Sequence, residues 1–391
     1  MKKILIISLM AIAVIFSSCE KTEEMLVSPD EIEFTNFSDE VIPGQYIVIF
    51  ESSGLKSAYK DKITADNVVL SRAEEIFNLQ QIEMNEPELV YSAAFEGMAI
   101  KMSEAEAEKL AGAKGVAGVW PDIIVALGRW NTDPVDPPAQ VVQYGVERTG
   151  YANYTGSSKA WIIDTGIDLD HPDLNVDQIN GANFDTRVSS PDDDHGHGTH
   201  CAGVVGAIDN TIGVVGVAAG ATVVPVKVLD KRGRGASSVI IAGIDYVAAN
   251  AAPGDVANLS LGGGIYELTD LAVIALGAKG IYVALAAGNE SEDAENHSPA
   301  RAEGANLYTV SAMDINDNWA SFSNFGDHVD YCAPGVNVFS TYKGGAFATM
   351  SGTSMAAPHV CGLLLLTNDN LTTDGYVNGD PDGNPDPIAH N

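Results

Sequence analysis

Apolar and polar positions change period several times along this chain, and each change marks a part of it. The run GQYIVIF (44–50) alternates with a period of two and predicts a strand. Residues 64–79 instead place Val68, Val69, Ala73, Ile76 and Phe77 at helical spacing. ELVYSAAFEGMAIKM (88–102) predicts two strands around Glu96-Gly97. SEAEAEKLAG opens on a capping box, Ser103 with Glu106, and predicts a helix that closes near Gly112. VAGVW and IIVAL then read as strand again. The order β-α-β-β-α-β predicts a small α+β unit of ferredoxin-like type over 44–127.

The periodicity stops at GRWNTDPVDPPAQ, a proline-rich stretch that predicts a linker over 128–138. From 139 to 391 the pattern is different. KAWIIDTG, TVVPVKVLD, DVANLSLGG and IYVALAAGN are short apolar runs, each ending in a polar or glycine-rich turn. Helical spacing lies between them, notably over Ser237 to Asn250 and Leu268 to Lys279. Buried strands alternating with helices predict an α/β fold: a largely parallel sheet flanked by helices, with its sites at the carboxyl ends of the strands. The tail NGDPDGNPDPIAHN predicts plain turns.

The first residues belong to neither unit. Lys2 and Lys3 precede the apolar run Ile4 to Phe16, too short to span a bilayer comfortably, and Ser17-Ser18-Cys19 follows. This resembles a bacterial lipoprotein signal over 1–18, which implies export and a membrane anchor through a lipidated Cys19, at the cell surface, outer membrane or periplasm. Ordinary secretion is the alternative. Residues 19–43 are polar and acidic and read as a tether. Across the chain 53 acids oppose 21 bases, a net charge of −32, which argues against nucleic acid as a partner and makes bound cations plausible. With Cys19 set aside, Cys201, Cys332 and Cys361 leave one disulfide plus a thiol, or three thiols, equally open.

Chemistry concentrates in DDDHGHGTHCAG (192–203), where His195, His197 and His200 fall within six positions. Three imidazoles could hold a metal, but Thr199 stands where a metal-hydrolase cluster wants an acid, and no H-E-x-x-H follows. The other reading makes one histidine a general base, which needs an orienting acid and a nucleophile. Asp164 ends the apolar run WIID, and Ser354 stands after a Gly-Thr turn before an alanine-rich helix. Backbone amides at such a helix start favour developing negative charge.

In that order, DTGIDLDHPDL, HGHGTHCAG and SGTSMAAPHV resemble the motifs of the subtilisin-like serine peptidases, and HGTHCAG with ASFSNFG leans towards the proteinase K branch. The resemblance covers about 139–367, and 44–127 resembles the inhibitory propeptide of the same enzymes. It implies an exported serine endopeptidase acting on polypeptide substrates, with no catalytic metal. Asp164 would orient His197, Ser354 would attack, and Asn289 of LAAGNE would donate to the oxyanion. His200 would be structural and His195 solvated. Ser260, Leu261, Gly262 and Gly263 would line the substrate strand, and Ala300 of HSPARA would leave a roomy pocket. The propeptide would act as an intramolecular inhibitor removed by self-cleavage from a monomeric precursor. The rival is a catalytically inactive binding protein on the same fold.

The resemblance also implies a structural Ca²⁺. AQVVQYGV (139–146) is similar to the mature start of the subtilisins, with Gln140 at a ligand position. Asp173 and Asn210 supply the other side chains, and Ile208, Ile212 and Val214 the carbonyls. Such an all-oxygen set suits a hard cation.

Overall fold

The structure is a computed structural model that describes residues 40–52, 61–128 and 132–391. The signal-like segment, Cys19 and most of the acidic tether lie outside the described residues.

The N-terminal unit follows the predicted order: β1 (Glu40–Phe50), α1 (Lys62–Leu79), β2 (Leu89–Tyr91), β3 (Gly97–Lys101), α2 (Glu104–Ala111) and β4 (Val116–Ala126). All pairings of its sheet are antiparallel, in the order β2-β3-β1-β4. Helix α2 carries the reciprocal capping box between Ser103 and Glu106 and closes at Gly112. Two boundaries need correction. β1 begins at Glu40, inside the stretch read as tether, because Glu40 and Val41 pair with Ile124 and Ile123 although their side chains are solvated. β4 is one strand through Pro121, not two.

In the C-terminal unit, the strands that matter for the site are β5 (Ala160–Asp164), β6 (Thr222–Lys227), β7 (Arg234–Ala236), β8 (Val256–Leu259), β9 (Tyr282–Ala286), β10 (Leu307–Met313) and β11 (Tyr331–Pro334). The helices are α3 (His197–Gly206), α4 (Ser237–Asn250), α5 (Glu267–Gly277) and α6 (Thr353–Thr367). The main sheet runs β6-β5-β8-β9-β10-β11, parallel throughout. It ends in an antiparallel edge pair, β12 (Thr372–Tyr376) with β13 (Pro387–His390), and β13 lies parallel to β11. The tail read as plain turns therefore closes the sheet, because Ile388 and Ala389 bury their side chains there. Apolar side chains cover both faces, which is why the strands read as continuous apolar runs. From β5 the chain moves to β6 on one side and later to β8 on the other, so a crevice opens at the carboxyl ends of β5 and β8.

The two units share a sheet. β7, from the C-terminal unit, pairs antiparallel with β4 and becomes the fifth strand of the N-terminal sheet. The linker is attached as well: Val135 and Phe347 exchange backbone hydrogen bonds of 2.8 and 3.0 Å.

Candidate active site

Asp164 is the last residue of β5, fully buried at the crevice. A buried carboxylate needs donors, and it has them: His197 Nδ1 lies 2.8 and 2.9 Å from its two oxygens, and the Thr165 amide donates at 2.6 Å. His197 is the first residue of α3, where the chain turns through Gly196 at φ 113°. A Cβ on Gly196 would meet the Tyr342 ring at 2.3 Å, so only glycine allows this entry.

The acids of DDDH hold this turn in place. Asp193 is buried, and its Oδ1 accepts from the amides of His195 and Gly196 at 2.9 and 2.8 Å. Its Oδ2 accepts from the Thr199 amide at 3.0 Å and the Thr199 hydroxyl at 2.6 Å. It does the work of an N-cap from three residues upstream of Gly196. Asp194 accepts from the ammonium of the fully buried Lys227 at 2.7 Å, and Lys227 also donates to the carbonyls of Thr165 and Leu229. Sequence reasoning left these residues without a role, since an acidic run before a helix reads as a solvated loop.

The three histidines have three different environments. His200 is fully buried, with Nε2 3.1 Å from the carbonyls of both Val338 and Ala348; burial holds its imidazole down to about 3, so it is neutral and structural as expected. His195 is half-buried, where the sequence predicted a solvated side chain. Its ring stands edge-on to that of His197 at 6.3 Å, its Nδ1 is buried without a partner, and burial, helped by the His197 charge, lowers its proton affinity.

Ser354 is the second residue of α6, which follows Gly352 at φ 149°. Its hydroxyl donates to the Ser260 carbonyl at 3.1 Å, while the Ser260 hydroxyl donates to the Ser354 carbonyl at 2.8 Å. Cys201, one turn along α3 from His197, also donates to the Ser354 carbonyl, at 3.4 Å. α3 and α6 are thus held together beside the crevice. Ligand atoms of Asp164, His197 and Cys201 lie within 4.8 Å of one another, but burial pushes the Cys201 thiol well above its usual range and keeps it protonated. A metal there would need the thiolate. Cys201, Cys332 and Cys361 are all buried thiols.

Asn289 follows β9. Its Oδ1 accepts from the Thr353 amide at 2.8 Å and the Thr353 hydroxyl at 3.1 Å. Two donors on that oxygen fix the amide's orientation and leave its NH₂ for the cleft. Ser260, Leu261, Gly262, Gly263, Ala300, Asn289 and Ser354 all line one pocket, and Leu127 and Gly128 of the N-terminal unit line it with them. The Leu127 amide donates to the Gly233 carbonyl at 2.9 Å, continuing the β4–β7 ladder into the crevice.

The six residues expected at a cation also converge. Asn210 donates to Asp173 at 2.6 Å and the Val214 amide to its other oxygen at 3.0 Å. The Ile212 amide donates to Asn210 Oδ1 at 2.7 Å, the Asn210 amide to Gln140 Oε1, and the Ile208 amide to the Asp173 carbonyl. Asp173 is fully buried, and that burial pushes its carboxyl up to about 6.

Comparison with known proteins returns two families, one for each unit. The Subtilase family pattern matches residues 161–374, and that of Peptidase inhibitor I9 matches residues 45–128. A subtilisin-like protease of Coccidioides posadasii (strain C735) is 36% identical over 85% of this chain and 84% of its own length. The cuticle-degrading protease of Metarhizium anisopliae is 35% identical over 84% and 81%, and an extracellular serine proteinase of Thermus sp. (strain Rt41A) is 34% identical over 84% and 80%. The solved structure of a cold adapted subtilisin-like serine proteinase superposes with a TM-score of 0.57 at 34% identity, covering 64% of this chain and 98% of the other.

Proposed function

The chain belongs to the subtilase family of serine peptidases and carries an I9 inhibitor unit ahead of the peptidase unit; from that premise we propose that it is an exported endopeptidase, made as a precursor that blocks and then matures itself. In this reading His197 is the general base, Asp164 holds its Nδ1 and stabilises the imidazolium, and Ser354 is the nucleophile. The Ser354 hydroxyl leaves the Ser260 carbonyl for the imidazole as it attacks the peptide carbonyl. Negative charge then forms beside the Asn289 NH₂ and the Ser354 amide at the start of α6.

One observation carries the proposal: Gly128, at the end of a strand paired with β7, lies in the pocket beside Ser354 and Asn289. A peptide substrate would add to β7 in the same way, so the small unit occupies the place of substrate. It follows that maturation cuts directly after Gly128. The linker residues from Arg129 onward would then stay with the peptidase unit, which would begin earlier than residue 139. The deciding experiment is Ser354→Ala expressed as the full chain. It should remain full length and hydrolyse no peptide, whereas the wild-type chain should yield a mature N-terminus at Arg129. Normal maturation of the variant without added protease would reject self-cleavage.

Calcium belongs to the same proposal. Gln140, Asp173 and Asn210, with the carbonyls of Ile208, Ile212 and Val214, would hold the ion. The donor set fits: all ligands are oxygen, and the one carboxylate is a buried group that a cation would relieve of its desolvation cost. The ion would supply no chemistry. It would fasten the start of the mature chain to the loop beyond α3. Export rests on the signal-like 1–18, and anchoring rests on Cys19; metabolic labelling with a palmitate analogue, lost in Cys19→Ser, tests the anchor.

A further inference from the structure

Departure of the small unit uncovers an arginine. β4 pairs with β7 in the register Ala126–Arg234, Val125–Gly235 and Ile124–Ala236. The Arg234 side chain reaches across this strand to Glu40 on β1, with Nη2 2.9 Å from Oε2. Among the described residues Glu40 is the acid with which Arg234 forms an ion pair, and it belongs to the unit that leaves. Two neighbouring arginines in the same groove of about 490 Å³ are served differently. Arg187 pairs with Asp185 at 2.6 Å and Asp230 at 2.8 Å, and Arg232 with Asp230 at 3.7 Å, all within the peptidase unit. They keep their partners after maturation; Arg234 does not.

The register states which substrate residue would meet it. Directly opposed residues of an antiparallel pair share a face, with Cβ atoms roughly 5 Å apart. A substrate added to β7 as β4 is added would put its counterpart of Ala126 straight across from Arg234. That residue is third from the cut, counting Gly128 as first. The counterpart of Ile124 lies on the same face at diagonal distance, beside the groove. Guanidinium is the cation best shaped for a carboxylate, since it offers two parallel donors. Ala126 itself is too short to engage it, so in the precursor Glu40 supplies the carboxylate from the next strand.

We propose that the mature peptidase selects substrates with an aspartate or glutamate at the third residue before the scissile bond, read by Arg234. This rests on the reading of the β4 tail as occupying the substrate's place. The test uses the matured protein and fluorogenic peptides of the form Val-Xaa-Leu-Gly, with Xaa as Glu, Gln or Lys. Glu should be favoured over Gln by about threefold and over Lys by about tenfold in kcat/KM, mainly through KM, as expected for a part-exposed pair. The preference should shrink in high salt. Arg234→Gln should level the series and Arg234→Glu should invert it. Equal cleavage of all three peptides by active enzyme would overturn the proposal and leave the peptidase reading intact. Failure of the matured protein to cleave any peptide would overturn that reading, and this proposal with it.

Discussion

In the peptidase unit, the central strands β5, β8 and β9 are covered on both faces by helices of the same unit. In the small unit, β1 and β3 cover only one face for themselves. Val48, Phe50, Met98 and Ile100 pack with Val69, Phe77 and Leu110 of its own helices. The opposite face, with Ile47, Ile49, Tyr91 and Ile123, packs into the cluster that holds Ile240, Ile241 and Ile244 of α4. The first unit is closed and the second is completed by its neighbour. This difference suits the proposed guard, because its departure would uncover the α4 side of a cluster that the two units share while leaving the helices on the opposite face of the main sheet in place.

The largest test of this asymmetry is catalytic. Ser354→Ala should leave both units folded and abolish hydrolysis; the loss known for subtilisin's own nucleophile is on the order of 10⁶-fold in kcat. Circular dichroism together with a peptide assay checks both halves of that statement. Asn289→Ala comes next. The matching donor in subtilisin is worth on the order of 10²–10³-fold in kcat, and a similar loss with little change in KM is expected here. An unchanged kcat would reduce Asn289 to the brace for Thr353 that its Oδ1 contacts describe.

A third substitution acts on the seam between the units. Asp245 is buried on α4 and accepts from the amides of Ser92, Ala93 and Ala94 at 3.2, 2.7 and 2.7 Å, and from Lys62 Nζ at 2.9 Å. Asp245→Ala would take this acceptor from the buried Ser92 amide and the half-buried Ala93 amide, at about 1–3 kcal/mol for each unsatisfied donor. Partial rehydration would recover some of that. Inhibition of the matured enzyme by added propeptide should weaken by about 10²-fold, while kcat on small peptides stays as it was. A loss of kcat would mean that the peptidase unit leans on the guard after all.

How much of this the sequence disclosed follows from where each signal lives. Asp164 and Ser354 stood out at a strand end and before a helix, but the choice of His197 among three histidines, and the roles given to all three residues, came from the resemblance of the ordered motifs to those of the subtilisin-like peptidases. The N-terminal unit was legible through its alternation and its capping box. What stayed hidden depends on pairing between distant segments. Nothing in Arg234-Gly235-Ala236 distinguishes a strand from a turn, since its ladder partner β4 lies more than a hundred residues away. Glu40 and Val41 likewise become strand through the β4 backbone, not through side-chain pattern. The acids before His197 were misjudged for a related reason. Charge alone reads as solvation, and only the fold reveals that Asp193 caps a helix and Asp194 answers a buried lysine.

The smallest expected effect concerns the segment that joins the two units. The Gly213 amide donates to the Pro138 carbonyl at 2.9 Å and the Gln140 amide to the Thr211 carbonyl at 3.2 Å, so the loop around Asp173 and Asn210 holds the far end of the linker. Burial raises the Asp173 carboxyl from its ordinary 3.8 to about 6. Between those values the folded chain holds a proton that the unfolded chain has lost, so without calcium this group's contribution to stability falls as pH rises through the window. Calcium at the proposed site would bind the carboxylate and reverse the trend, so its benefit should grow as pH passes about 6. At saturation near 100 times its dissociation constant, a ligand of the folded state adds about 2.7 kcal/mol. In a unit of this size that is a rise of roughly 5–10 °C in thermal midpoint. Thermal scans of the Ser354→Ala chain, which avoid self-digestion, should show that rise with millimolar calcium at pH 8 and little of it at pH 5. Asp173→Asn should remove the calcium response at both pH values while keeping the contact to Asn210. A calcium-induced rise that persists in Asp173→Asn would assign the ion to another place and leave the linker fastened by its backbone bonds alone.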